Sequence, residues 1–154
     1  MRIIVDADAT PSLNLIENVA KKYNLDCVFI CDDTHRIVSN YSKILTVSKG
    51  FQSVDMYLLN YIKDNDIVVT QDYGVATIAL LKNCYVIHPK GYMFNQDNID
   101  KLLMERHISS KLRRKNKHYG HIKARCKDDD ERLVANLEKI IIDEMNRKQM
   151  FGII

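Results

Sequence analysis

No stretch of the 154-residue chain is apolar for long enough to cross a bilayer as a helix, which takes about 20 residues. No secretory leader is expected either, since Arg2 is followed by only three apolar residues before Asp6. Together these absences set the expectation of a cytoplasmic protein with no membrane partner. Cysteine is scarce, with four residues at 27, 31, 84 and 126. Cys27 and Cys31 lie four apart in a strand-like segment, which holds them far from each other, and zinc wants a tighter turn and two further ligands. Cys27, Cys31 and Cys84 therefore read as reduced core thiols. His118, His121 and Cys126 lack a fourth ligand nearby and do not make a zinc site. His35 and His88 read as loop and strand-end residues. There is no low-complexity linker and no internal repeat. With 46% hydrophobic and 28% charged residues, residues 1–154 fit one ordinary globular domain.

Acid is nearly absent from one segment. Between Glu105 and Lys127 nine lysines and arginines face Glu105 alone, a net +8. With the whole chain at +3, the remainder carries −5. A mildly acidic body with one basic arm, about 105–127, suits a polyanion, nucleic acid first and RNA favoured. Tyr119 and the histidines of the arm suit stacking on bases.

Apolar runs at 2–5, 26–30, 44–47, 67–70 and 84–88 predict about five strands, and 3.6-residue periodicity between them predicts helices. Thr10-Pro11 is a helix-start signal, with Thr10 as N-cap. Asn24 and Asn83 are stops, and Ser53 caps the helix after the third strand. Past Gly91 the pattern turns helical, over about 97–108 and about 128–148. The last helix opens on Asp128, Asp129, Asp130 and Glu131 and closes on Arg147 and Lys148, matching the helix dipole at both ends. Alternating strands and helices predict an α/β protein with a mainly parallel sheet covered on both faces.

Such sheets bind ligands beyond the carboxyl ends of their strands. Asp6 ends the first strand in "RIIVDADAT", and Asp8 follows two residues on, sharing its side while the chain stays extended. Asp72 ends the fourth strand, and Asp55 lies in the first turn of the helix after the third. If strands one and four are neighbours, Asp6, Asp8 and Asp72 converge, with Asp55 at the side. Each like-charge pair at 4 Å costs about 4 kcal/mol at an effective dielectric near 20, a conflict that a divalent cation removes. Oxygen ligands alone favour Mg²⁺ or Mn²⁺. The competing reading is that each Asp caps a turn. Asp64 and Asp66 are assigned to the turn before the fourth strand, Asp32 and Asp33 to a loop. "DADAT" also fits the first motif of haloacid-dehalogenase-like phosphatases, with Asp6 as nucleophile and Asp8 as acid. The Lys and paired acids that such enzymes need do not follow in order.

"VDADATP", "KGFQSVD", "DIVVTQDYGVA" and the later "R…LRR" resemble the YaiI/YqxD family, related by fold to PIN-like nuclease domains. The resemblance reaches to about Ile141. It implies a three-layer α/β/α fold of PIN-like type and a metal site of Asp6, Asp55 and Asp72 with Asp8 beside them. It also implies that Thr70 and Gln71 position a water or phosphate, that Thr10 is a further substrate-binding residue, and that Arg106, Arg113 and Arg114 bind substrate nearest the acids. The family usually has Cys at Thr10 and another Asp at Gln52. The expected function is Mg²⁺- or Mn²⁺-dependent nuclease action on RNA or single-stranded nucleic acid, with Asp6, Asp8 and Asp72 catalytic. The alternative is nucleic-acid binding without catalysis, for which Gln52 speaks. The apolar tail "MFGII" packs either on the core or on a second subunit, the latter making a homodimer.

Overall fold

The computed structural model describes residues 1–48, 50, 53–115 and 124–152. Six strands form one sheet: β1 (Arg2–Asp6), β2 (Asp26–Asp32), β3 (Lys43–Val47), β4 (Ile67–Val69), β5 (Tyr85–Ile87) and β6 (Met93–Phe94). Their order is β3-β2-β1-β4-β5-β6. All pairings are parallel except β5 with β6. Five helices accompany them: α1 (Leu13–Lys22), α2 (Val54–Tyr61), α3 (Tyr73–Leu81), α4 (Ile99–Lys115) and α5 (Lys127–Met150).

The period-2 alternation of a strand divides the core into two. Ile3, Val5, Cys27, Phe29, Ile67 and Val69 pack under α1 and α5, against residues such as Ile16, Leu133 and Leu137. Ile4, Val28, Ile30, Val68 and Val86 pack on the other face with Leu58 of α2, Val75, Ala76 and Ala79 of α3, and Ile99 of α4. This is the three-layer α/β/α arrangement. It explains why β1 and β4 are continuous apolar runs: a parallel sheet buried on both faces leaves no polar side. Cys27, Cys31 and Cys84 are buried free thiols, and Cys126 is exposed. Among the described residues no helix is long and apolar enough to cross a membrane.

Both asparagine stops take the left-handed conformation that ends a helix, Asn24 at φ 54° and Asn83 at φ 63°. Ser53 caps α2 by accepting from the Met56 amide at 3.1 Å. Three features differ from the sequence expectation. The N-cap of α1 is Ser12, not Thr10; the Thr10 hydroxyl instead donates to the Asp6 carbonyl at 2.8 Å. The sixth strand is two residues long, too short to carry a periodic signal. It is returned against β5 by the turn at Gly91, whose φ is +95°. Helix α4 runs on to Lys115, inside the basic segment, where Lys, Arg and Leu sustain a helix without an apolar stripe. At the other end of the segment Arg125 turns inward. Its Nε meets Asp130 at 2.7 Å and its Nη1 donates to the Pro89 carbonyl at 2.6 Å. Of the tail, Met150 and Phe151 are exposed and do not pack on the core.

Candidate functional site

From β1 the chain steps outward to β2 and β3, then returns to lay β4 on the other side of β1. The switch point of the sheet is therefore between β1 and β4, whose register pairs Val5 with Val69. Asp6 comes directly after one of these residues. Thr70, Gln71 and Asp72 come directly after the other. The neighbour relation on which the convergence of Asp6 and Asp72 depends is thus present.

Asp6 is 7% exposed. Its carboxyl is pushed up to about 7, first by burial and then by the charges of Asp55, Asp8 and Asp72; a hydrogen bond from Thr70 offsets part of this. Asp55, in the first turn of α2, is also raised, by burial and then by Asp72. The four acids therefore share one electrostatic neighbourhood. Asp72 is the N-cap of α3, accepting from the Val75 amide at 3.0 Å. Its own amide donates to the Thr70 hydroxyl at 3.1 Å. Thr70 is fully buried and, reaching both acids, sets their relative position. The Gln71 side-chain amide donates to the Ala9 carbonyl, clamping the 3-10 turn Ala7–Ala9 across to β4. Tyr73 packs edge-on against Phe94, beneath its helix.

Asp8 sits in that 3-10 turn, not in extended chain. Its Oδ2 accepts from the Asp32 amide at 3.0 Å, and its Oδ1 lies 3.0 Å from His35 Nδ1. Its charge acts on Asp6 while its carboxylate leans toward β2. Among the described residues, the one trio with ligand atoms all within 4.8 Å of one another is Asp8, Asp32 and His35. Asp6, Asp55 and Asp72 stand wider. Their donor atoms are all carboxylate oxygens, and a buried acid crowded by three other carboxylates gains from any positive charge placed beside it.

The sequence reads Asp32 and His35 as loop residues: His35 does lie in the loop after β2, but Asp32 is the last residue of that strand. β2 continues two residues past Ile30, the partner of Asp6, so Asp32 reaches the same rim. The signal was "CDDTH": an acid at a strand end with a histidine three residues on. Gln52, His118 and His121 lie outside the described residues, as do the side chains of Arg106, Arg113 and Arg114. The Thr10 side chain is buried beside β1. A groove of about 880 Å³ between α1 and α5, lined by Leu15, Val134 and Ile142, contains none of these acids.

A mainly parallel sheet between two layers of helices, with acids gathered at its switch point, defines the class: a three-layer α/β/α protein. The chain belongs to the YaiI/YqxD family, whose model, described as "Uncharacterized BCR, YaiI/YqxD family", matches residues 4–143. It is 48% identical over 143 residues to a UPF0178 protein of Clostridium kluyveri, covering 93% of this chain and 94% of that one. It is 49% identical over 137 residues to a UPF0178 protein of Clostridium tetani, covering 89% and 94%. With a UPF0178 protein of Clostridium novyi it shares 50% over 141 residues, covering 92% and 95%. No solved structure matches the chain.

Proposed function

We propose that the protein is a Mg²⁺- or Mn²⁺-dependent nuclease that hydrolyses phosphodiester bonds of RNA or single-stranded nucleic acid. The observation that carries this reading is the crowding of Asp6 by Asp55, Asp8 and Asp72 at the switch point, which drives its carboxyl to about 7. In this reading Asp6, Asp55 and Asp72 hold the cation, and Asp8 adds its negative charge beside them. When bound, the ion supplies an activated water and neutralises charge on the departing oxygen. Thr70 holds Asp6 and Asp72 in register, and Gln71 keeps the turn after β1 against β4. The basic segment from Arg106 onward tracks the phosphates and adds a salt dependence of about 0.7 per neutralised phosphate of a single strand.

The test is cleavage of a labelled single-stranded RNA with Mn²⁺ or Mg²⁺. Asp6→Asn and Asp72→Asn each reduce the rate by at least about a hundredfold, on the scale of losing a group that stabilises the transition state, while the circular-dichroism spectrum is kept. Full activity in both variants removes the assigned roles. Salt-sensitive binding without cleavage under any divalent ion selects the non-catalytic alternative.

A further inference from the structure

We propose that Asp8, Asp32 and His35 form a binding site for a transition-metal dication of the zinc class. The site shares only Asp8 with the all-oxygen cup and does not rest on the nuclease reading. His35 Nδ1 is 2.9 Å from Asp32 Oδ1 and 3.0 Å from Asp8 Oδ1. Two ligand atoms bound at about 2.1 Å in a tetrahedron around one ion are themselves about 3.4 Å apart. Both separations are within about half an ångström of that edge, so a small outward shift of the three atoms admits the ion.

The hydrogen-bond inventory points the same way. An imidazole nitrogen carries one proton at most, so it serves one of two carboxylates. The shorter contact of Nδ1 is with Asp32 Oδ1 at 2.9 Å, with the Thr34 hydroxyl at 3.4 Å. Asp8 Oδ1 is shielded from solvent and, among the described residues, accepts no hydrogen bond; it only lies within ion-pair distance of Nδ1. A cation bound by both oxygens and by Nδ1 satisfies all three atoms at once. The ligands are held in advance by outer partners, as metal ligands are. Asp8 Oδ2 accepts from the Asp32 amide at 3.0 Å, and Asp32 Oδ1 accepts from the Thr34 amide at 2.9 Å and from the Thr34 hydroxyl. His35 is half exposed, which leaves open positions for water. A nitrogen ligand selects zinc, cobalt or nickel over Mg²⁺, so this site and the all-oxygen cup take different ions.

The experiment titrates Co²⁺ into the full chain and follows its visible absorption. With Mg²⁺ in hundredfold excess throughout, so that the all-oxygen cup is filled, the parent saturates with Co²⁺ at a single equivalent and without a near-ultraviolet thiolate-to-cobalt band. His35→Gln and Asp32→Asn each weaken Co²⁺ binding by at least about tenfold, and Asp72→Asn leaves it unchanged. Thermal melts of both variants without metal check that the fold is kept; His35 is exposed enough for His35→Gln to fold whatever Asp32→Asn does. Equal Co²⁺ affinity in parent and His35→Gln overturns the proposal. So does a lack of Co²⁺ binding under the Mg²⁺ excess, or a thiolate band, which puts the ion on Cys126. Cleavage by His35→Gln with Mg²⁺ is read separately, so failure of this site and failure of the nuclease reading are distinguishable.

Discussion

Replacing Asp6 with asparagine removes a buried charge crowded by three other carboxylates while keeping its shape, and the metal-free protein gains stability from the change at alkaline pH. The Asp6 carboxyl lies at 3.8 when unperturbed and at about 7 in the fold. Between those values the folded chain holds a proton that the unfolded chain has lost, so stability falls as pH rises. The full shift corresponds to about 4 kcal/mol, and roughly half of it develops between pH 5.5 and pH 8. His88 acts with the opposite sign: burial, then Lys90 and Arg125, lower it to about 4, so its contribution is lost as pH falls through 6.5 toward 4. The two partly cancel in the parent, and the readout is the difference between variant and parent. In urea titrations with EDTA, the advantage of Asp6→Asn grows by about 2 kcal/mol from pH 5.5 to pH 8. Saturating Mn²⁺ at pH 8 stabilises the parent and not the variant. A difference that stays flat with pH, or an Asp6→Asn protein less stable than the parent at pH 8, refutes the argument that these acids crowd one another.

Gly91→Ala destabilises the fold by at least about 2 kcal/mol in the same titration. The new Cβ lies 2.5 Å from the Leu133 amide nitrogen at a φ of +95°, so the turn before β6 and the first half of α5 must move apart; a shift below 0.5 kcal/mol contradicts the contact. Arg2→Met costs about 3 kcal/mol, because Asp66, 3% exposed, loses the guanidinium 2.6 Å away. Arg2→Met with Asp66→Asn recovers most of that loss, and additive penalties in the double variant argue against the pair.

The sequence by itself determined the layers and the list of acids. β1 and β4 are apolar on both faces because a parallel sheet is covered on both, and that is written in "IIV" and "IVV". Asn24 and Asn83 end their helices because asparagine tolerates the left-handed conformation, which is a local property of one residue. Asp6 and Asp72 are visible as carboxylates at strand ends for the same local reason. What only the tertiary structure decided is which residues meet. Strand order is not a property of any segment: it arises from which apolar faces close on which, and it made β1 the neighbour of both β2 and β4. That placement set Asp72 beside Asp6, and it brought Asp32, at the end of β2, and His35, in the loop after it, onto Asp8. The 3-10 turn at Ala7–Ala9 depends equally on distant partners, the Gln71 side chain and the Asp32 amide, so an extended reading of "DAD" missed the direction in which Asp8 leans.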